Sequence, residues 1–215
     1  MKKYHFVAAS VVMVFLSLVA FSDNLITQVD QPSNSDPKFI IHGLFCFAWF
    51  VILVVQSGLI WKANYKAHAT WGIAGLVAAV GVFITTEYIF IVIYKGWHLM
   101  PYIAKCNRVF MPAFAIMVWL GYLNRRNPAT HKRLMYVATL YMLGPVLDRA
   151  MGHSFFDTLI PMSAEVLWNV TLFSLWGVFF VSLFIYDWSV LNKIHKVTAY
   201  GCALYCVTLA IAIYT

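Results

Sequence analysis

Apolar residues along the chain fall into seven long stretches separated by shorter polar breaks. They cover about residues 5–22, 39–61, 70–94, 108–123, 132–151, 164–186 and 196–214. A bilayer core requires about 20 apolar residues per helix, and in lipid only helices or closed barrels satisfy their own backbone hydrogen bonds. The pattern therefore predicts an all-α fold: a bundle of seven transmembrane helices, forming a single helical domain over residues 1–215.

The longest polar break covers residues 23–38 and contains three aspartates and two prolines. This composition predicts an exposed loop on the periplasmic side. The first apolar stretch has a second interpretation, because two lysines precede it and a small-x-small motif ends it at Ala20–Ser22. That arrangement is also typical of a secretory signal, whose cleavage would leave six helices.

Composition supports the membrane assignment, and charge predicts its orientation. The chain is 62% apolar and 11% charged, against roughly half and a quarter in soluble proteins. With the N-terminus in the cytoplasm, ten Lys and Arg residues lie inside and five outside. The positive-inside rule thus favours an N-in/C-out protein of the bacterial inner membrane. The net charge of +7 then reflects orientation rather than a nucleic-acid partner.

Two local signals refine the fifth predicted helix. Gly144–Pro145 lies inside it, and proline removes a backbone hydrogen bond, so we expect a kink there. Thr130 follows Pro128 and precedes a basic run, which predicts Thr130 as the N-cap.

Six polar side chains lie in the outer halves of the predicted spans, where an ionisable group costs about 2.5–3.5 kcal/mol to insert. They are His42, Glu87, Asp148, Arg149, Glu165 and Asn169. One interpretation is that they satisfy one another, with Arg149 neutralising Glu87 or Glu165. The other is that they line a pocket that opens to the periplasm and holds a cofactor, an ion or a polar lipid head group.

Histidines also mark the inner boundary. His68 and His131 lie near the starts of two different helices at matching depth, beside lysines or arginines. Such residues are common interfacial anchors, but opposed imidazoles are also what a bis-histidine haem requires. Gln56 lies deeper, where it could hydrogen-bond across helices or face a ligand. His42 and Cys46 share a helix face, and imidazole and thiolate suit copper or zinc. The candidate metal ligands are therefore His42, His68 and His131.

Two runs of residues resemble a pattern in uncharacterised bacterial multi-pass membrane proteins. The first comprises His42-Gly43, Trp49-Phe50, Gln56, Leu59, His68 and Gly72, and the second His131-Lys132-Arg133-Leu134-Met135 with Arg149. Together they cover about residues 40–150.

The layout is similar, more loosely, to transmembrane b-type cytochromes. That resemblance implies an inner haem b on His68 and His131, and an outer one on His42 with His98 or His153. It also implies that Arg149 or Arg108 pairs with haem propionates. The leading functional hypothesis is electron transfer through haem. The alternatives are a non-redox transporter or proton-handling protein built on the outer cluster, and an accessory subunit of a larger membrane complex or homo-oligomer.

Overall fold

The computed structural model describes residues 4–152 and 165–215, without the side chain of Glu165. Its described residues form α-helices joined by short turns and contain no strand. The helices are α1 (His5–Ala20), α2 (Pro37–Trp61), α3 (Tyr65–Val92), α4 (Tyr102–Leu123), α5 (Pro128–Met142), α6 (Gly144–Met151), α7 (Glu165–Leu191) and α8 (Lys196–Tyr214). The predicted all-α class is confirmed for these residues.

Among the described helices, α2, α3, α4, α7 and α8 are long and apolar enough to cross a membrane. Helix α1 is apolar but has only 16 residues. The fifth predicted helix is divided into α5 and α6, neither of which has that length alone. The structure thus supports a membrane protein with five candidate spans in its described part.

Helix starts differ from the apolar stretches because capping groups lie outside the apolar runs. Asn64 accepts a hydrogen bond from the Ala67 amide, so α3 begins at Tyr65 rather than near residue 70. Asn127 accepts one from the Thr130 amide, and α5 begins at Pro128. The predicted Thr130 cap is therefore wrong. Proline fits the first helical position, where no amide donor is needed.

The chain divides into two compact units, residues 1–94 and 95–215. Each is described by itself below, and the single domain stays a prediction. In the first unit, α2 packs on both α1 and α3. The hydroxyls of Ser10 and Ser57 hydrogen-bond between α1 and α2 at 2.9 Å. Gly81 of α3 faces the ring of Phe45 so closely that a methyl group there would overlap it.

The break between α1 and α2 is folded by its own polar side chains. Residues 23–27 and 32–34 form short helical turns. The Asn24 side-chain amide donates to the Asn34 side-chain oxygen at 2.7 Å, and Asn34 donates back to the Asn24 carbonyl at 2.8 Å. Asp36 then caps α2.

Aromatic side chains from four helices pack together in the core of the second unit. Phe110 of α4 stacks on Tyr141 of α5 with ring centroids 5.0 Å apart. Trp176 of α7 meets Phe110 edge-on at 5.1 Å. Tyr205 of α8 lies 5.2 Å from Trp176. Helix α5 is buried along most of its length, which is typical of a central helix surrounded by others.

The predicted break at Gly144–Pro145 is confirmed, because α5 ends at Met142 and α6 begins at Gly144. The interruption releases backbone carbonyls, and the indole nitrogen of Trp176 donates to that of Leu140 at 2.7 Å. Gly144 lets the indole approach, since an added Cβ would lie 2.5 Å from the Trp176 ring and 2.7 Å from Ile103. The kink at Gly144 and the packing of Trp176 in the aromatic core therefore depend on each other.

Candidate functional sites

The imidazole of His42 is oriented by a threonine on the neighbouring helix. Its Nδ1 lies 3.0 Å from the Thr85 hydroxyl oxygen. That hydroxyl donates its proton to the Gly81 carbonyl at 2.7 Å. Because a hydroxyl has one proton, Thr85 must accept from His42, and Nδ1 carries a hydrogen. The neutral imidazole then has its lone pair on Nε2, the nitrogen available to a metal.

Cys46 contacts the same imidazole without forming a chelate. Its sulfur lies 3.5 Å from Nε2 and 3.8 Å from Nδ1. These nearly equal distances show that the sulfur does not lie along the Nε2 lone pair, because a sulfur there would be much farther from Nδ1. This arrangement does not favour the copper or zinc pair. No group of three or more His, Cys, Asp or Glu suited to a metal occurs among the described residues.

His131 has the same tautomer as His42, but a backbone carbonyl rather than a hydroxyl group fixes it. It lies in the first turn of α5, half-buried, and its Nδ1 is 2.8 Å from the carbonyl oxygen of Gly121 near the end of α4. A carbonyl only accepts, so Nδ1 is the donor and Nε2 holds the lone pair of the neutral ring. Metal-bound histidines almost always donate their other ring N–H to an oxygen in this way.

The proposed haem pairs are not brought together within either unit. His68 belongs to the first unit and His131 to the second, so their pairing stays a prediction. For the outer haem, His98 lies exposed in the turn Trp97–Leu99. His153 is outside the described residues.

The outer polar residues also divide between the units. In the first, Glu87 is half-buried on α3, two residues beyond the Thr85 that binds His42. In the second, Asp148 near the end of α6 accepts a hydrogen bond from the Trp168 indole at 3.0 Å. Arg149 and Asn169 are half-buried at this same end. Glu165 is the first residue of α7, and its side chain is not part of the described structure. The shared pocket of all six residues stays a prediction.

Gln56, the remaining predicted ligand, lies on α2. Both polar atoms of its side-chain amide are buried, and neither makes a hydrogen bond within the described part of the chain. The structure therefore shows no cross-helix hydrogen bond for it.

A buried ion pair that the sequence did not single out joins two helices of the second unit. Arg133 of α5 and Asp187 of α7 form an ion pair in which both side chains are 0% exposed. The Arg133 Nε donates to Asp187 Oδ1 at 2.7 Å. Its Nη1 donates to the Ala129 carbonyl in the first turn of α5 at 2.6 Å. Arg133 is thus paired inside the unit rather than exposed at the boundary.

The second oxygen of Asp187 bonds to the start of α8. Its Oδ2 accepts from the His195 backbone amide at 2.9 Å and from the Thr198 hydroxyl at 2.6 Å. One carboxylate therefore joins α5, α7 and α8. The sequence carried no signal for this pair, because the burial of Arg133 depends on α5 being surrounded by other helices.

His195 lies between α7 and α8, where its Nδ1 accepts from the Val197 amide and caps α8 at 3.2 Å. Desolvation by burial, followed by the nearby Arg133 cation, lowers the pKa of His195 below its usual value. Its neutral tautomer is therefore the opposite of the one at His42 and His131, with the hydrogen on Nε2.

The chain has no significant match among protein-family models, curated proteins or solved structures. The resemblance to bacterial multi-pass proteins and to b-type cytochromes therefore stays a prediction from the motifs.

Proposed function

We propose that the chain is a multi-pass inner-membrane protein that binds haem b and transfers electrons through it. The observation that supports this proposal most is that two imidazoles have the same tautomer. His42 and His131 each have Nδ1 engaged by a protein oxygen, so that Nε2 holds the lone pair. Haem iron in electron-transfer proteins is bound by such nitrogens.

The roles of the residues follow from this orientation. His131 is the proposed axial ligand in the second unit and His42 in the first. Haem, when bound, supplies reversible one-electron chemistry. Arg149 is a half-buried residue, and its guanidinium is a group that pairs well with a propionate carboxylate.

An absorbance spectrum tests the assignment. The full chain, expressed with ample haem and purified in mild detergent, should show a Soret band that sharpens and shifts on reduction by dithionite. His131→Ala and His42→Ala should each reduce the haem content or convert the spectrum to a high-spin form. A Soret band absent from the wild-type protein would overturn the proposal.

His195→Ser is the matched control. This histidine has the opposite tautomer, and serine also caps helices well, so the spectrum should be unchanged. If His195→Ser loses haem as fully as the other two variants, the tautomer argument fails.

The topology that accompanies this function is seven spans, N-in/C-out, with α5 and α6 forming one kinked span. The asymmetry of basic residues supports it. Alkaline phosphatase fused after residue 96 should be active, because that turn would be periplasmic, and a fusion after residue 126 should be inactive. The reverse pattern would contradict the orientation.

A further inference from the structure

A lysine near the start of α4 is buried, and no described residue provides a counter-ion for it. Lys105 is 6% exposed, whereas the other lysines within the described ranges are half-buried or exposed. Within those ranges no carboxylate lies within ion-pair distance of it, and no atom accepts a hydrogen bond from its ammonium group. A buried cation is costly unless an anion or hydrogen-bond acceptors compensate it.

Two aromatic rings surround this ammonium group. Lys105 Nζ lies 5.9 Å from the ring centroid of Trp97 and 5.7 Å from that of Tyr102. Trp97 is itself held in place, since its indole nitrogen donates to the Thr215 hydroxyl at 3.0 Å. The rings give a cation–π attraction and a partly apolar wall, but neither residue accepts a hydrogen bond from the ammonium group.

The first turn of α4 has no side-chain cap, as is also true of α1 and α6 among the described helices. Helices α2, α3, α5 and α8 are capped by Asp36, Asn64, Asn127 and His195. Helix α4 begins after Pro101 with no such hydrogen bond. The first amides of a helix point outward and concentrate positive potential.

The buried lysine side chain and the uncapped amides occur at the same end of α4. Side chains on a helix lean toward its N-terminus, and Lys105 reaches back to Tyr102, the first helical residue. The ammonium group and the helix amides are both hydrogen-bond donors, and a negatively charged oxygen is an acceptor that suits both of them.

We propose that Lys105 and the uncapped first turn of α4 bind a phosphate group, with Trp97 and Tyr102 as its walls. A phosphate has several oxygens, enough to accept from both the ammonium group and the helix amides. Since α4 is a candidate membrane span, its first turn lies where lipid head groups occur. The phosphate source is either a phospholipid or a soluble phosphate compound. This site is independent of the haem proposal.

Binding and thermal unfolding of the full chain in mild detergent test the site. We expect wild-type protein to retain phospholipid in native mass spectra, or to show a higher Tm with added phosphatidylglycerol or inorganic phosphate at constant ionic strength. Lys105→Met should weaken that binding at least tenfold and remove the Tm increase. Lys105→Arg should retain most of it. Lys95→Met is the matched control, because Lys95 is an exposed lysine in the turn before α4.

Each outcome distinguishes a source or overturns the site. A response to phosphatidylglycerol alone identifies a lipid head group, and a response to inorganic phosphate identifies a soluble ligand. No response in the wild-type protein, or equal responses in Lys105→Met and Lys95→Met, would overturn the proposal. So would a double-mutant cycle that couples Lys105 to a carboxylate of the chain, since the partner of the ammonium group would then be internal. Haem content should be unchanged in Lys105→Met.

Discussion

The guanidinium of Arg133 and the carboxylate of Asp187 meet in the interior of the second unit, with Nε and Oδ1 2.7 Å apart and neither side chain exposed. The pair is compensated on both sides: Arg133 also bonds to the Ala129 carbonyl, and Asp187 to the start of α8. A substitution that removes one partner of such a pair strongly destabilises the fold, because the other partner then remains as a buried unpaired charge.

Asp187→Asn should therefore destabilise the protein strongly. We expect a loss of about 3–5 kcal/mol, because Arg133 stays buried and charged while its anion is removed. Denaturant unfolding in detergent measures this loss. The double variant Arg133→Met with Asp187→Leu should lose much less unfolding free energy than the sum of the two single changes. The partly exposed pair of Lys38 and Asp36 is the control, where Lys38→Ala should change stability by about 1 kcal/mol or less. Equal effects at the two pairs would contradict this.

Gly144→Ala should also destabilise the protein, by overpacking rather than by charge. The added methyl group would overlap the Trp176 ring and Ile103, and such overpacking costs about 1–3 kcal/mol. Gly177→Ala is the matched control, because nothing lies within 4 Å of its added Cβ. Thermal unfolding followed by tryptophan fluorescence compares them. A Gly144→Ala protein as stable as Gly177→Ala would show that the kink adjusts without cost.

Thr85→Val should change the tautomer of His42. Valine removes the oxygen that accepts from Nδ1, so the ring should shift toward the tautomer with its hydrogen on Nε2. Nitrogen-15 NMR of labelled histidine measures this directly. The control is Thr86→Val, since the Thr86 hydroxyl bonds to the Val82 carbonyl of its own helix. An unchanged His42 signal in Thr85→Val would show that Thr85 does not orient the ring.

Acidification should weaken the cap of α8. The pKa of His195 lies below its ordinary 6.5 because burial and Arg133 disfavour the cation, with Asp187 opposing them. Folding therefore favours the neutral form, and its contribution to stability is complete above pH 6.5 and is lost as pH falls through the lower folded pKa. Protonation also removes the acceptor for the Val197 amide, a cap worth about 1 kcal/mol.

His195→Ser isolates this contribution, because serine caps the helix at any pH. We expect the difference in unfolding free energy between wild type and variant to change between pH 7.5 and 5 in favour of the variant. A difference that is independent of pH would mean that His195 does not titrate as a cap.

The amino-acid sequence by itself determined the helical class, most helix positions and the break before Pro145. These depend on local properties: a run of apolar residues, or a proline without an amide hydrogen. The same local logic placed Glu87, Asp148 and Arg149 within helices. The apolar pattern predicted the helix starts less accurately, because Asn64 and Asn127 cap their helices from outside the apolar runs.

Only the tertiary structure decided which polar side chains meet. Arg133 and Asp187 are separated by 54 residues, and their pairing depends on α5 being enclosed by its neighbours. The tautomers of His42 and His131 depend on oxygens of other helices, and the burial of Lys105 on the turn containing Trp97. Such contacts arise from helix packing and rotation, which hydropathy constrains weakly because many helix orientations bury similar apolar area. The membrane environment is thus determined by composition, and the chemistry within it by packing.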